Sequence, residues 1–273
     1  MPLSAFVLAL TAAVLHAGWN VLLARARDVL AATTVALGLS VLLFAPLAAA
    51  TWDVDAAAVP WIAASALLEI VYFVLLTTAY SRSDLSLVYP VARGSAPVLV
   101  LAGAAIAGAT VGWGQALGVL LVGGGILLVR GVRGNADAKG VVLALAIGAA
   151  IAGYTLVDKE GVEHAAVIPY LELVLAPAAV AAVAWHAWSG RLPAVRTEVG
   201  WATTGAAVFA FAAYGFVLGA LTLASAPAVA AVRETSVVFA VALGASVLGE
   251  PVGRSRASGA VLVVVGVALV ALG

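Results

Sequence analysis

Arg93 and Arg233 stand inside the apolar runs VYPVARGSAPVLVLAGAAIAG and APAVAAVRETSVVFAVALGAS, each long enough to cross a bilayer. A charge at the middle of a membrane helix costs about 2.5 to 3.5 kcal/mol even on a lenient scale, so such residues mark functional sites. A guanidinium there can hold a carboxylate through two parallel hydrogen bonds. Glu69, Glu172 and Glu234 are the acids inside the apolar spans. Glu69 shares a helix face with Tyr72, and the span that follows offers Arg93 as its natural partner, either as a fixed pair or as one that opens. Glu69, Arg93 and Glu172, the last set between Pro169 and Pro177, are the candidates for gating or proton coupling.

The candidates for substrate binding are Arg233, Glu234, His16, Trp19, Asn20, Tyr72, Tyr154 and Tyr214. His16 and Asn20 are one turn apart and share a face. They could contact a solute or carry a proton, or they could hydrogen-bond a neighbouring helix, as polar side chains commonly do in bundles. Tyr154 and Tyr214 present aromatic surfaces with polar tips, suited to an amphipathic solute. Arg233 and Glu234 point about 100° apart on a helix, so they do not simply neutralise each other. Arg233 is expected to hold substrate, and Arg93 to serve gating or structural pairing.

The elements that must position these residues are membrane helices. Of 273 residues, 65% are hydrophobic and only 10% charged, against about 25% charged in soluble domains. Windows of about 20 residues give ten spans, near 3–23, 29–50, 60–80, 84–108, 112–130, 139–157, 165–188, 200–222, 225–248 and 254–272. The chain is therefore read as an all-α integral membrane protein. Short connectors suggest that successive spans form hairpins. Pro90, Gly94 and Pro97 predict a broken fourth span around Arg93.

The second half repeats the first. Ala17-Gly18-Trp19-Asn20 resembles Ala152-Gly153-Tyr154-Thr155, Tyr72 answers Tyr214, Arg93 answers Arg233, and Gly118 answers Gly259. Five spans per half is an odd number, so residues 1–131 and 139–273 form two inverted five-helix repeats within one transport domain, with a binding site near the midplane. Basic residues fall almost entirely in one set of loops, with Lys159 as the exception. That places those loops in the cytoplasm of a bacterial inner membrane, and both termini on the periplasmic side. The segment DKEGVEH, from Asp158 to His164, reads as solvated outer loop rather than a metal site.

Several classes are excluded or disfavoured. Net charge is zero, which gives no electrostatic basis for nucleic-acid binding. Cysteine is absent, no phosphate-binding loop with Gly-Lys-Ser/Thr occurs, and neither HExxH nor GxSxG is present. No cofactor and no metal are expected, and the partners are a small-molecule substrate and the lipid bilayer, with the chain acting as a monomer.

The segments HAGWN (16–20), SDLSLVYPVARGSAP (83–97), GYTLVDKEGV (153–162), AVRETSVVFA (231–240) and GEPVGRSRASGAVLVVVGVAL resemble the drug/metabolite transporter superfamily, specifically its EamA-type ten-helix members. That resemblance implies two inverted five-helix repeats and transport of small organic solutes, commonly export of amino acids or other metabolites. The chain departs from the family pattern at Ala24, where members often carry lysine, and at Ala109, where a glutamate often follows glycine. The second half keeps Glu250. A symmetric pair of end-of-helix acids is therefore not expected. The function read from the sequence is a secondary transporter working by alternating access, an exporter of amino acids, aromatic or otherwise hydrophobic. The alternatives are multidrug or other metabolite carriers, then a channel or an intramembrane enzyme.

Overall fold

The computed structural model describes residues 1–24, 26–82, 85–130, 138–248 and 253–272. They form twelve α-helices: α1 (Leu3–Leu23), α2 (Val29–Ala50), α3 (Val59–Arg82), α4 (Leu85–Ile106), α5 (Trp113–Arg130), α6 (Ala138–Gly161), α7 (Val167–Trp188), α8 (Leu192–Thr197), α9 (Trp201–Leu221), α10 (Ala226–Arg233), α11 (Ser236–Leu248) and α12 (Arg254–Leu272). Nine stretches among the described residues are long and apolar enough to cross a membrane, with α10 and α11 together making one of them; α5 is a shorter apolar helix. The short α8 lies between spans seven and eight. The ten spans read from hydropathy are thus present, with ends displaced by no more than a few residues.

Two clasps show how the halves are related. At one end of the bundle, the Arg191 guanidinium meets Asp28 at 2.5 Å, and Glu198 accepts hydrogen bonds from the Arg27 and Asp28 backbone N–H groups. At the other end, the Asp55 N–H donates to His164 and the Ala166 N–H to Asp53, around a Val54–Ala165 bridge. So α2 runs from the first face to the second, and its counterpart α7 runs back. Burial opposes ionisation of Asp28, yet the Ala31 and Leu30 N–H groups and Arg191 hold its carboxyl below the usual carboxylate range.

The pair α5 and α12 shows the same inversion at closer quarters. A Cβ built at Gly118 would lie 2.6 Å from the Gly266 carbonyl, and one at Gly125 would lie 2.7 Å from that of Gly259. Contacts that descend along α12 as they ascend along α5 are antiparallel, and only glycine permits this approach of two backbones. The two halves are inverted five-helix repeats. The proposed division between them, at 131–139, falls largely on residues 131–137, outside the described residues. We expect Gly266→Ala to lower stability by about 1 to 3 kcal/mol through overpacking. Gly124→Ala, where a Cβ meets nothing within 4 Å, should be neutral or slightly stabilising. Thermal unfolding in detergent distinguishes them, and equal melting points would refute the close packing.

Three expectations from the sequence are corrected. The fourth span is not broken: α4 continues through Pro90 and Pro97, and Gly94 serves close packing instead, since a Cβ there would meet the Gly123 carbonyl of α5 at 3.0 Å. The break lies in the ninth span, at Glu234-Thr235, where N–H groups of residues 234, 235, 237 and 238 reach back only three residues. Thr235 Oγ1 also donates to the Val232 carbonyl at 2.7 Å, a side-chain bond that competes with regular helix. Second, α3 and α4 are not extensive neighbours, because α6 packs against both. Third, α6 extends to Gly161 and Asp158 is only 1% exposed, so it is not part of a solvated loop. Glu160, Glu163 and His164 are exposed as expected, and Lys159 pairs with Glu163 at 2.8 Å. Glu250 and Gly249 lie outside the described residues.

Candidate functional site

The helix break carries the site. Glu234 is 0% exposed, and its Oε1 lies 3.4 Å from Arg93 Nη1 and 3.5 Å from Arg233 Nη2. Arg93 comes from α4 of the first half and Arg233 from the end of α10 in the second, so one carboxylate joins the two halves inside the bundle. The Arg93 and Arg233 side chains are only 10% and 9% exposed. In a low-dielectric interior such charges persist only when paired and hydrogen-bonded. The pairing is incomplete: Glu234 Oε2 and Arg233 Nε have no hydrogen-bond partner.

Arg93 has two further neighbours. Its guanidinium contacts His16 Nε2 and lies 5.9 Å from the ring centre of Tyr89, one turn earlier in α4. The Trp19 indole N–H donates to His16 Nδ1 at 3.2 Å. A neutral imidazole accepts at only one nitrogen, so Trp19 and Arg93 compete for it. The Asn20 amide donates to the His16 carbonyl at 2.6 Å. His16, Ala17, Asn20, Tyr89, Arg93, Ser236, Val237 and Ala240 line a cleft. The α1 residues lie in its last two turns, Tyr89 is in the first turns of α4, and Ser236 opens α11, so the cleft lies toward the Asp28–Arg191 face.

Arg233 is not among the residues that line this cleft; Tyr154 and Tyr214 are close enough to interact electrostatically with it. Tyr154 stands edge-on to Tyr72 at 6.3 Å and tilted to Tyr214 at 6.0 Å. Glu69 lies beside Asp158, Tyr214 and Arg233. The expected Glu69–Arg93 pair is therefore not formed, because α6 separates α3 from α4 and Arg93 turns to Glu234 and His16. The structure brings together Arg93, Arg233, Glu234, His16, Trp19, Asn20, Tyr72, Tyr154, Tyr214 and Glu69. Glu172 stands apart, half-buried on α7, with Oε2 lacking a hydrogen-bond partner.

The sequence reading missed Asp158, Ser65, Tyr89 and Ser236 as site residues. Asp158 accepts from Ser65 Oγ at 2.6 Å, the Tyr170 hydroxyl at 2.9 Å and the Tyr214 hydroxyl at 2.7 Å. Helical spacing carried the signal: Asp158 follows Tyr154 by four residues, Ser65 precedes Glu69 by four, and Tyr89 precedes Arg93 by four. Among the described residues, no group of acidic, histidine or cysteine side chains could hold a metal ion.

Comparison with known proteins agrees with this architecture. A solved structure described only as "Crystal structure of protein" superposes with a TM-score of 0.79 over 100% of this chain and 98% of its own, at 16% identity, which shows a shared fold. No curated protein matches the sequence. Residues 138–272, the second half, match the model of the EamA-like transporter family. The chain belongs to that family, within the drug/metabolite transporter superfamily, and is a multi-pass membrane protein.

Proposed function

We propose that the chain is a secondary transporter that carries a small amphipathic carboxylate, most simply an amino acid with a hydrophobic side chain, out of the cytoplasm by alternating access. One observation supports this above others: Glu234 bridges arginines from the two repeats beside the break in the ninth span, next to a cleft. A substrate carboxylate can replace Glu234 on a guanidinium, and the unpartnered Glu234 Oε2 can accept from a substrate ammonium group. Tyr89, Tyr72, Tyr154 and Tyr214 supply apolar faces with hydroxyl tips.

The cleft favours the reverse of the roles read from sequence. Arg93, which lines the cleft with His16 and Asn20, is assigned the substrate carboxylate. Arg233 is assigned to hold Glu234 and the tyrosine wall. Glu69 keeps its proposed role in proton coupling through its neighbours Asp158, Tyr214 and Arg233; Glu172 has no contact that supports one. The basic loops are proposed to be cytoplasmic, so the cleft faces the cytoplasm.

Purified protein in liposomes, offered radiolabelled phenylalanine, leucine and the cationic dye ethidium, tests the reading. Saturable uptake of phenylalanine or leucine is expected. Uptake of the dye alone would replace the amino-acid reading with multidrug transport.

A further inference from the structure

The two ends of the bundle are closed by different chemistry. Toward the face that carries Asp53 and Glu163, the Asp158 carboxylate of α6 gathers Ser65 from α3, Tyr170 from α7 and Tyr214 from α9. Four helices meet on one buried charge. Hydrogen bonds to an ionised acceptor are roughly twice as strong as neutral ones, and the three donors come from both repeats.

The repeat-related positions at the opposite end carry no such group. Taking Ala17 to match Ala152, Asp158 corresponds to Leu23; taking Tyr72 to match Tyr214, Ser65 corresponds to Ala207. Tyr170 is the fourth residue of α7, and the fourth residue of α2 is Ala32. Leu23, Ala32 and Ala207 are all buried and share one apolar cluster, so the inverted geometry is kept while the carboxylate and two of its three donors are replaced by apolar side chains, only Tyr72 keeping the hydroxyl of Tyr214. An alanine contact offers little dispersion or area and no direction. The cleft lies toward this weakly closed end, beyond which stands the Asp28–Arg191 pair.

We propose that Asp158 is a latch residue: it holds the Asp53–Glu163 face shut, and the missing counterpart at Leu23 biases the resting bundle to open toward the Asp28–Arg191 face. Its part in transport rests on the proposed function, whereas the latch itself does not. A carrier must close one face while the other opens, and an unequal pair of closures sets which state is populated without substrate. To pass solute, the protein must exchange the three hydroxyl bonds at Asp158 for other partners. Leu23 can part from alanine without leaving a polar group unsatisfied.

The chain has no cysteine, so two introduced thiols carry spin labels without background. Exposed Ala57, just ahead of α3, and exposed Leu223, just past α9, lie on the latched face at the ends of two of the helices that Asp158 joins. Pulsed electron-paramagnetic-resonance distances should show one short population between them in the otherwise native chain. Asp158→Ala should raise a second, longer population about tenfold or more, since each lost bond to a charged group shifts a two-state balance by about that factor. Leu23→Ala should leave this distance unchanged. If Asp158→Ala does not yield monodisperse protein, Asp158→Asn and Tyr170→Phe, which keep the packing, should give the same shift in smaller measure. Unchanged distances in a folded Asp158 variant, or in both milder variants, would overturn the latch. A longer distance in a protein that moves none of the tested solutes would sustain the latch and refute the transport reading.

Discussion

Arg93→Ala should abolish transport, lowering kcat/KM by about 100-fold or more, while the protein still inserts into the membrane. The expectation comes from geometry. Arg93 lines the cleft, lies 3.4 Å from Glu234 and contacts His16. Truncating one partner of a buried, hydrogen-bonded charge pair costs about 2 to 5 kcal/mol, and the proposed substrate carboxylate would lose the guanidinium that lines the cleft among the described residues. Arg93→Lys keeps the charge but not the planar fork, so it should retain a small fraction of activity with a raised KM. Transport rates normalised to inserted protein check both variants. Wild-type rates in Arg93→Ala would remove it from the site and return the substrate role to Arg233.

Glu234→Ala should be the most destabilising single change in the site, by about 3 to 5 kcal/mol, because it leaves two buried guanidiniums facing each other without a counter-charge. Glu234→Gln preserves shape and should lose nearly as much, since an amide does not neutralise Arg93 and Arg233. Combining Arg233→Gln with Glu234→Gln removes one charge of each sign and should recover part of the loss. Melting temperature in detergent reads this order directly. An additive double variant would show that Arg233 and Glu234 do not depend on each other.

The spans were legible because bilayer thickness sets a length that hydropathy reports well. Residues 3–23, 29–50 and 254–272 match their helices end for end. The inverted repeat was legible because an odd number of spans per half leaves no other arrangement. What stayed hidden was lateral. Glu69 and Arg93 sit on consecutive spans, and only the position of α6 between those spans shows that they do not meet. The break at Glu234-Thr235 was hidden because no proline or glycine lies between Ala228 and Leu243, whereas Pro90 and Pro97 announced a break in α4 that does not occur. Asp158 was misread because Lys159 and Glu160 follow it and the three look like a solvated run. A helix turning 100° per residue buries the first, leaves Lys159 half-buried and exposes Glu160.

The unequal ends also bear on the two arginines. They correspond by sequence, yet Arg93 opens on a cleft while Arg233 lies behind Glu234 among the tyrosines. Asp158 draws Tyr214 at the latched end, and its counterpart Leu23 cannot draw Tyr72 in that way. The break is likewise confined to one repeat, since α4 runs on through Arg93 where the ninth span turns after Arg233.

In the proposed cycle one solute at a time crosses a bundle whose two faces open in turn. Counterflow in liposomes tests it most directly. Liposomes loaded with the unlabelled amino acid found in the uptake screen should accelerate entry of its labelled form several-fold over empty liposomes, and Arg93→Ala should abolish that acceleration. Entry at the same rate into loaded and empty liposomes would contradict alternating access and identify an open channel.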